Sequence, residues 1–151
     1  KNGNRILIDD VDVTKKKRKN DITRKSSEIA IIPQVREKMV ELQREIGKNG
    51  GVVMDGRDIG TVVFPDADFK FFMDAKPEIR AQRRLIENQK RGISSNYNEI
   101  LKELKWRDQN DSKGNIAPLR KTNDAILIAN SNLTIKQQVE RIMEIIRKDG
   151  N

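Results

Sequence analysis

The sequence contains no cysteine and no histidine. Without cysteine, the chain can form neither disulfide bonds nor thiolate metal sites. Without histidine, it cannot use a Ser-His triad, a histidine-based zinc site or imidazole acid–base chemistry. Any catalysis by this chain must therefore rely on carboxylates, lysines and arginines.

Aromatic residues and long apolar runs are also scarce. One Trp, one Tyr and four Phe occur among 151 residues, fewer than a protein that stacks single-stranded bases usually offers. No apolar run approaches the roughly 20 residues needed to cross a bilayer, and no signal peptide is visible. We therefore expect a cytoplasmic protein of one ordinary domain with no membrane partner. The chain begins at Lys1 rather than Met, so we also expect a removed start or a fragment.

Basic residues outnumber acidic ones. Lys and Arg total 31 against 23 Asp and Glu, a net charge of +8. Such a balance favours anionic partners, namely nucleic acid, phosphorylated small molecules or an acidic surface. The basic run at 15–19 is typical of a solvated loop. A basic nucleic-acid-binding domain remains an alternative, although the charge is spread along predicted helices and no nucleic-acid motif is present.

The pattern of apolar and turn residues predicts an α/β sheet flanked by helices. Short strands are expected at 5–8 and 11–13, and buried strands at 52–54, 69–73 and 125–129. Helices are expected to begin at Pro33, at Pro77, after Asn96 and after Thr134. The polar stretch at 108–115 is expected to be a loop.

One group of candidate residues is Asp55-Gly56-Arg57-Asp58, directly after an apolar run. In open α/β sheets, ligands bind at the carboxyl ends of the strands. Two carboxylates and a guanidinium at that edge could hold a base or ribose, a phosphate and a metal-bound water. The alternative interpretation is a tight turn with a local ion pair.

Two further groups carry polar side chains at suggestive spacings. Arg107, Asp111 and Lys113 lie in the polar stretch, and phosphoryl transfer needs cations that can move over the transferred group. The alternative is an ordinary surface loop. Ser27 and Arg36 could read the edge of a base, or could be a helix cap and a surface arginine.

The stretch IPQVREKMVELQREIGKNGGVVMDGRDIGTVVFPDADFKFFM resembles the central part of bacterial cytidylate kinases. KPEIRAQRR, RDQND, APL, DAILI and a final amphipathic helix follow in the family's order, so the resemblance spans essentially the whole chain. It implies a phosphate-loop nucleoside-monophosphate-kinase-like parallel sheet with flanking helices, a small antiparallel insert at the N-terminus, and an absent first strand and loop. Residues 1–48 would belong to the CMP-binding insert, and 49–151 to the core domain, with a lid region near 76–118.

The resemblance also implies how cytosine is recognised. The residues that match the family's base contacts are Ser27, Arg36 and Asp58. A carboxylate can accept a hydrogen bond from the amino group of cytosine, and a guanidinium can donate to its N3 and O2 acceptors. Uracil carries a carbonyl where cytosine has the amino group, so it would face Asp58 oxygen to oxygen and is expected to be disfavoured.

Phosphate and sugar contacts are implied in the same way. Arg57 matches an arginine placed near the CMP phosphate, while Arg107 and Asp111 match residues that handle the sugar, with Arg107 near the phosphates. Relatives usually carry another lid arginine where Gly114 stands here, and the adjacent Lys113 is a partial substitute. The catalytic candidates are therefore Arg57, Arg107 and Lys113. Because a lysine cannot form a bidentate fork with phosphate, full catalytic rate is in question.

The implied reaction is transfer of the ATP γ-phosphoryl group to CMP or dCMP, with Mg²⁺ required. Both ATP and Mg²⁺ are expected from the resemblance, not from residues of this chain. A phosphate loop needs Gly, four residues, then Gly-Lys-Ser/Thr. The only Gly-Lys here, Gly47-Lys48, is followed by Asn49 and has Leu42 where the first glycine should be. No ATP-binding or metal-binding residue is therefore assigned.

The missing loop raises an alternative function for the 151 residues. We expect them alone to be inactive and to be completed by self-association or by another chain, because a parallel sheet without its central strand exposes apolar faces. Alternatively, the chain is a non-catalytic fragment that binds CMP or a partner. Nucleic acid is not an expected partner.

Overall fold

The computed structural model describes residues 5–14, 25, 29–30, 32–113 and 118–149. The chain forms two compact units, Lys1–Val52 and Val53–Asn151. The functions assigned above to 1–48 and 49–151 stay predictions. Within the described ranges, no helix combines the length and apolar character that a membrane span requires.

The first unit contains a β-hairpin whose strands were predicted from the sequence. Strands β1 (Leu7–Ile8) and β2 (Val11–Asp12) pair antiparallel. Between them, Asp9 and Asp10 have φ angles of 46° and 64°. Two consecutive left-handed residues give the turn whose twist matches that of the flanking strands, and aspartate tolerates this conformation better than most residues.

Helix α1 (Pro33–Gly47) follows in the same unit and begins at the predicted residue. Pro33 occupies its first turn, where the missing N–H has no helical acceptor to lose. Beyond the helix, Gly50 and Gly51 adopt φ angles of 71° and 64°, which end the regular backbone. The apolar stripe of α1 is largely exposed, at Met39, Leu42 and Ile46.

The second unit is built on two parallel strands, β3 (Phe71–Asp74) and β4 (Ile126–Ala129). Phe71 pairs with Ile126 at one end of the ladder and Asp74 with Ala129 at the other. Ile128 is completely buried. Since the strands are parallel and in register, the segments that follow Asp74 and Ala129 emerge at the same edge of the sheet. Both predicted strands are confirmed.

Three helices complete this unit: α2 (Pro77–Lys90), α3 (Tyr97–Lys113) and α4 (Ile135–Asp149). Gly92, with a φ of 67°, follows the end of α2, a position that favours glycine. The Asn96 side chain caps α3 by accepting hydrogen bonds from the N–H groups of Asn98 (2.8 Å) and Glu99 (3.4 Å). α2 and α3 pack against each other.

A reciprocal cap begins α4 after Thr134, where the sequence predicted a helix start. The Gln137 side-chain oxygen accepts from the Thr134 N–H at 2.8 Å, and the Thr134 hydroxyl accepts from the Gln137 N–H at 3.3 Å. The apolar side of α4 nevertheless remains open, because Ile135 is 81% exposed and Val139 is 55% exposed. The helix therefore depends on its cap more than a fully packed helix would.

Two sequence predictions are wrong. Residues 52–54 form no strand, and Val53 is fully exposed, because no described strand offers them a ladder partner. Residues 108–113 are helical instead of forming a loop. Their weak helix propensity is overridden by ion pairs that tie α3 to other segments, described below.

Complete burial in the ladder makes Ile128 a position where truncation should lower stability. We expect Ile128→Ala to lower the free energy of unfolding by about 2–4 kcal/mol, because it leaves a cavity between β4 and its neighbours. Ile135→Ala makes the same chemical change at a largely exposed position and should cost far less. Denaturant titration of both variants tests this, and equal losses would contradict the burial seen at β4.

Candidate functional site

The DGRD turn leads directly into a single π-helical turn, Ile59–Val63, here called the π-turn. The Asp58 carbonyl accepts hydrogen bonds from the N–H groups of Thr61 (3.2 Å), Val62 (2.8 Å) and Val63 (3.3 Å). Val63 is buried and anchors the turn in the core. The Asp58 carbonyl accepts these three backbone hydrogen bonds, so the backbone of Asp58 is fixed at the start of the turn.

Of the two glycines in the motif, only Gly56 is required by a close contact. A Cβ atom at Gly56 would lie 2.8 Å from Cγ1 of Ile59, closer than such atoms approach. At Gly60 it would lie 3.4 Å from Cδ of Lys70. Because Gly56 has no Cβ, the Ile59 side chain can pack against the turn that carries Arg57.

Arg57 and Arg107 share one carboxylate. The Arg57 Nε donates to Oδ2 of Asp111, and the Arg107 Nε lies 3.9 Å from the same oxygen. Partial burial lowers the pKa of Arg107, and the positive charge of Arg57 lowers it further. Two guanidinium groups around one carboxylate leave an excess positive charge, so this cluster is suited to an anion.

A second ion pair fixes the helix on which Arg107 and Asp111 lie. Arg80 donates to both carboxylate oxygens of Asp108, and its hydrogen bond to Oδ1 is 2.8 Å long. The Arg80 Nε also donates to the carbonyl of Ala75 at 3.0 Å. Ala75 follows the last residue of β3. The Arg80 side chain therefore connects the carboxyl end of the sheet to α3.

The structure brings together part of the predicted site. Arg57, Arg107 and Asp111 meet, and Asp58 follows Arg57 at the head of the π-turn. Arg36 lies in α1, in the other compact unit. Ser27 lies outside the described residues, and so does the side chain of Lys113, the last residue of α3. Arg107 and Asp111 lie four residues apart on α3, so both side chains are on the same side of the helix.

Sequence reasoning gave no role to Arg80 or Asp108. These residues lie 28 positions apart, and no spacing rule connects them. The Lys70–Asp124 pair, which spans 54 positions, was missed for the same reason.

Comparison with known proteins places the chain in a family. The family model for cytidylate kinase matches residues 1–148. A cytidylate kinase of Clostridium botulinum (strain Okra / Type B1) is 47% identical over 148 residues, which cover 98% of this chain and 68% of that protein. One from Caldicellulosiruptor saccharolyticus is 43% identical over 143 residues, 95% of this chain and 63% of the relative. One from Geobacillus sp. (strain WCH70) is 47% identical over 146 residues, which cover 97% of this chain and 65% of that protein.

The shared carboxylate predicts how the cluster responds to a small anion. In Asp111→Asn, Arg57 and Arg107 lose the negative charge that partly neutralises them, so inorganic phosphate should bind about threefold to tenfold more tightly. Calorimetric titration with phosphate measures this. Asp66→Asn removes an exposed carboxylate elsewhere in the same unit and is the control. Unchanged or weaker phosphate binding by Asp111→Asn would contradict the interpretation of Asp111 as a competing anion.

The Arg80–Asp108 pair predicts a loss of stability in acid. The hydrogen bond from Arg80 holds the pKa of Asp108 below its ordinary 3.8. Stability from a carboxylate with a lowered folded-state pKa is fully present above its ordinary pKa and is lost as the pH falls through the folded value. At neutral pH, Asp108→Asn should therefore be less stable than the unmodified chain by about 1 kcal/mol. Thermal unfolding at a series of pH values should show this difference shrinking below about pH 4; a difference independent of pH would exclude a charged pair.

Proposed function

Since the chain belongs to the cytidylate kinase family, we propose that its DGRD turn and α3 form the CMP side of a kinase that transfers the ATP γ-phosphoryl group to CMP or dCMP. The products are CDP and dCDP. The observation that carries this proposal is the pair of guanidinium groups, Arg57 and Arg107, around the single carboxylate of Asp111. Such a cluster suits the phosphate of a nucleoside monophosphate.

The acceptor phosphate takes over the interactions that Asp111 now makes. A phosphate has several oxygens, so both guanidinium groups can bind it in bidentate fashion. Arg57 exchanges its carboxylate partner for the CMP phosphate, and Asp111 becomes free to accept a hydrogen bond from the sugar. Arg107, between phosphate and sugar, retains a partner throughout.

Base selection in this proposal belongs to Asp58, assisted by Ser27 and Arg36. The Asp58 carboxylate accepts from the amino group of cytosine, while the hydroxyl and guanidinium groups serve its ring acceptors. Support comes from the fixed backbone of Asp58, whose carbonyl is held by the π-turn. A site built to accept from an amino group penalises a base that offers a carbonyl oxygen there.

The chemical step requires positioning and electrostatics, with no covalent enzyme intermediate. An oxygen of the CMP phosphate attacks the γ-phosphorus in line, the bond to the β,γ-bridging oxygen breaks, and ADP leaves with that oxygen. Arg107, and Lys113 at the end of α3, would stabilise the charge that develops on the transferred group. A chain without histidine or cysteine is compatible with this chemistry.

ATP and Mg²⁺ have no site that we can assign to the described residues. The phosphate-loop pattern does not occur in the 151 residues, and no cluster of three acidic side chains is found in the described ranges. In nucleotide-dependent enzymes, Mg²⁺ is bound largely by the substrate phosphates and neutralises their charge. The proposal therefore assigns no step of this chain to the metal.

A second candidate is CMP binding without turnover. It is favoured by glycine at position 114, where the resemblance implies an arginine in relatives. The two candidates differ in one observable, because both bind CMP but only the kinase produces CDP when ATP and Mg²⁺ are added. A coupled ADP-release assay on the full polypeptide that carries these residues separates them.

The proposed roles of Arg57 and Asp58 predict different losses. Arg57→Ala should weaken CMP binding about tenfold or more and leave cytidine binding nearly unchanged, since only CMP carries the phosphate. Asp58→Asn should reduce the preference for CMP over UMP by about tenfold or more, because an amide can face the carbonyl of uracil. Calorimetric titration of the full polypeptide with CMP, cytidine, UMP and AMP measures both effects.

The control for these titrations is Arg147→Ala, which removes an exposed arginine from the last turn of α4. It should change none of the affinities. Equal loss of cytidine and CMP binding in Arg57→Ala would contradict a phosphate contact. If the unmodified polypeptide bound UMP or AMP as tightly as CMP, the proposed substrate would be wrong.

A further inference from the structure

Lys70 is a nearly buried lysine immediately before β3. Its side chain is only 10% exposed, and its ammonium group donates to the Pro65 carbonyl and to the Asp124 carboxylate. A buried ammonium is costly unless it is paired and hydrogen-bonded, so these acceptors determine where the side chain lies. Through them, the ammonium connects the loop after the π-turn to the residues that lead into β4.

The apolar stem of Lys70 covers the π-turn. Its Cδ and Cγ atoms lie 3.4 Å and 3.7 Å from the position that a Cβ would take at Gly60. These are ordinary van der Waals distances, so the stem of Lys70 passes close beside Gly60. Lys70 therefore lies beside the middle of the turn, at Gly60, and its ammonium group binds the chain beyond the turn, at the Pro65 carbonyl.

The opposite end of this segment is Asp58. Its carbonyl accepts three backbone hydrogen bonds from the π-turn, and its own N-terminal neighbour is Arg57. The turn is short, and Val63 is buried in the core, so the turn has little freedom to rotate. A displacement of the turn would consequently move the backbone from which the Asp58 side chain extends.

We propose that Lys70, held in place by Asp124, is a positioning residue for Asp58 and thereby sets the preference for CMP over UMP. This inference rests on the proposed function, in which Asp58 accepts from the cytosine amino group. Discrimination by one carboxylate requires that its oxygen be held within a few tenths of an ångström of the donor. Lys70 supplies that constraint without contacting the base.

Asp124 is suited to hold Lys70 over a wide pH range. Its hydrogen bond with Lys70 is the main reason that the pKa of Asp124 is lowered to about 2. The carboxylate is therefore ionised throughout the range in which nucleotide binding is measured. The partner of the lysine does not change between mildly acidic and basic conditions.

The test compares Lys70→Met, which keeps the length of the apolar stem and removes the ammonium, with Lys90→Met at an exposed position in α2. The dissociation constants for CMP and UMP are measured by calorimetry on the full polypeptide, together with the melting temperature. We expect Lys70→Met to lower the CMP-to-UMP affinity ratio by about tenfold. Lys90→Met should leave that ratio unchanged.

A purely structural lysine would give a different result. If Lys70→Met lowers the melting temperature but keeps the unmodified affinity ratio, the inference is overturned. Should Lys70→Met fail to fold, Asp124→Asn tests the inference in its place. The Asp124 side chain is 61% exposed, so its replacement leaves no buried cavity. Asp124→Asn should lower the ratio by about threefold; an unchanged ratio in this folded variant would again overturn the inference. If the unmodified polypeptide binds no CMP, the proposed function itself fails, an outcome distinct from the other two.

Discussion

The position of α3 depends on the guanidinium group of Arg80. This group is planar and has donors on three nitrogens, so it can bind a carbonyl with one and a carboxylate with the other two. Here it binds the Ala75 carbonyl at the end of β3 and both oxygens of Asp108. Arg107 precedes Asp108 in the chain, and Asp111 lies nearly one turn beyond it. The contact of Asp111 with Arg57 therefore depends on Arg80, which holds the helix in place.

The end of the neighbouring strand is held by another arginine of α2. Arg83 donates to the carbonyls of Asn130 (2.7 Å), Leu133 (3.2 Å) and Ser131 (3.3 Å), which all lie just beyond β4. Arg80 and Arg83 thus both serve the carboxyl edge of the sheet, where α/β proteins bind their ligands. Because their donors are used in these hydrogen bonds, Arg80 and Arg83 stabilise the edge of the sheet. The cations suited to an anion are then Arg57 in the DGRD turn and Arg107 in α3.

Local signals account for the parts of the fold that could be predicted from the sequence. Pro33, Asn96 and Thr134 determine where helices begin through contacts within a few residues, so they act in any context. The errors at 52–54 and 108–113 have the opposite origin. Whether an apolar run becomes a strand depends on a partner strand, and whether a polar run stays helical depends here on arginines 28 and 54 positions away.

The candidate site shows the same division between local and distant information. The DGRD and RDQND motifs identified Arg57, Arg107 and Asp111 as candidate residues. The structure shows that the carboxylate of Asp111 lies close to both arginines. Nothing in the sequence around Lys70 distinguished it, because a lysine flanked by phenylalanines fits any partly exposed strand. Its importance comes from burial and from acceptors at Pro65 and Asp124, which only the folded chain brings to it.

The shared carboxylate gives the proposed kinase a way to connect phosphate binding with sugar recognition. Before a nucleotide binds, Asp111 neutralises part of the charge on Arg57 and Arg107, which limits their repulsion. A neutral nucleoside has no group that can replace this carboxylate, whereas a phosphate dianion has both the charge and the oxygens to do so. In the proposed function, Asp111 becomes available to the sugar only once the phosphate has arrived. The proposal then implies that the cost of separating Arg57 from Asp111 reduces affinity for the monophosphate, and that the site in return discriminates against the unphosphorylated nucleoside.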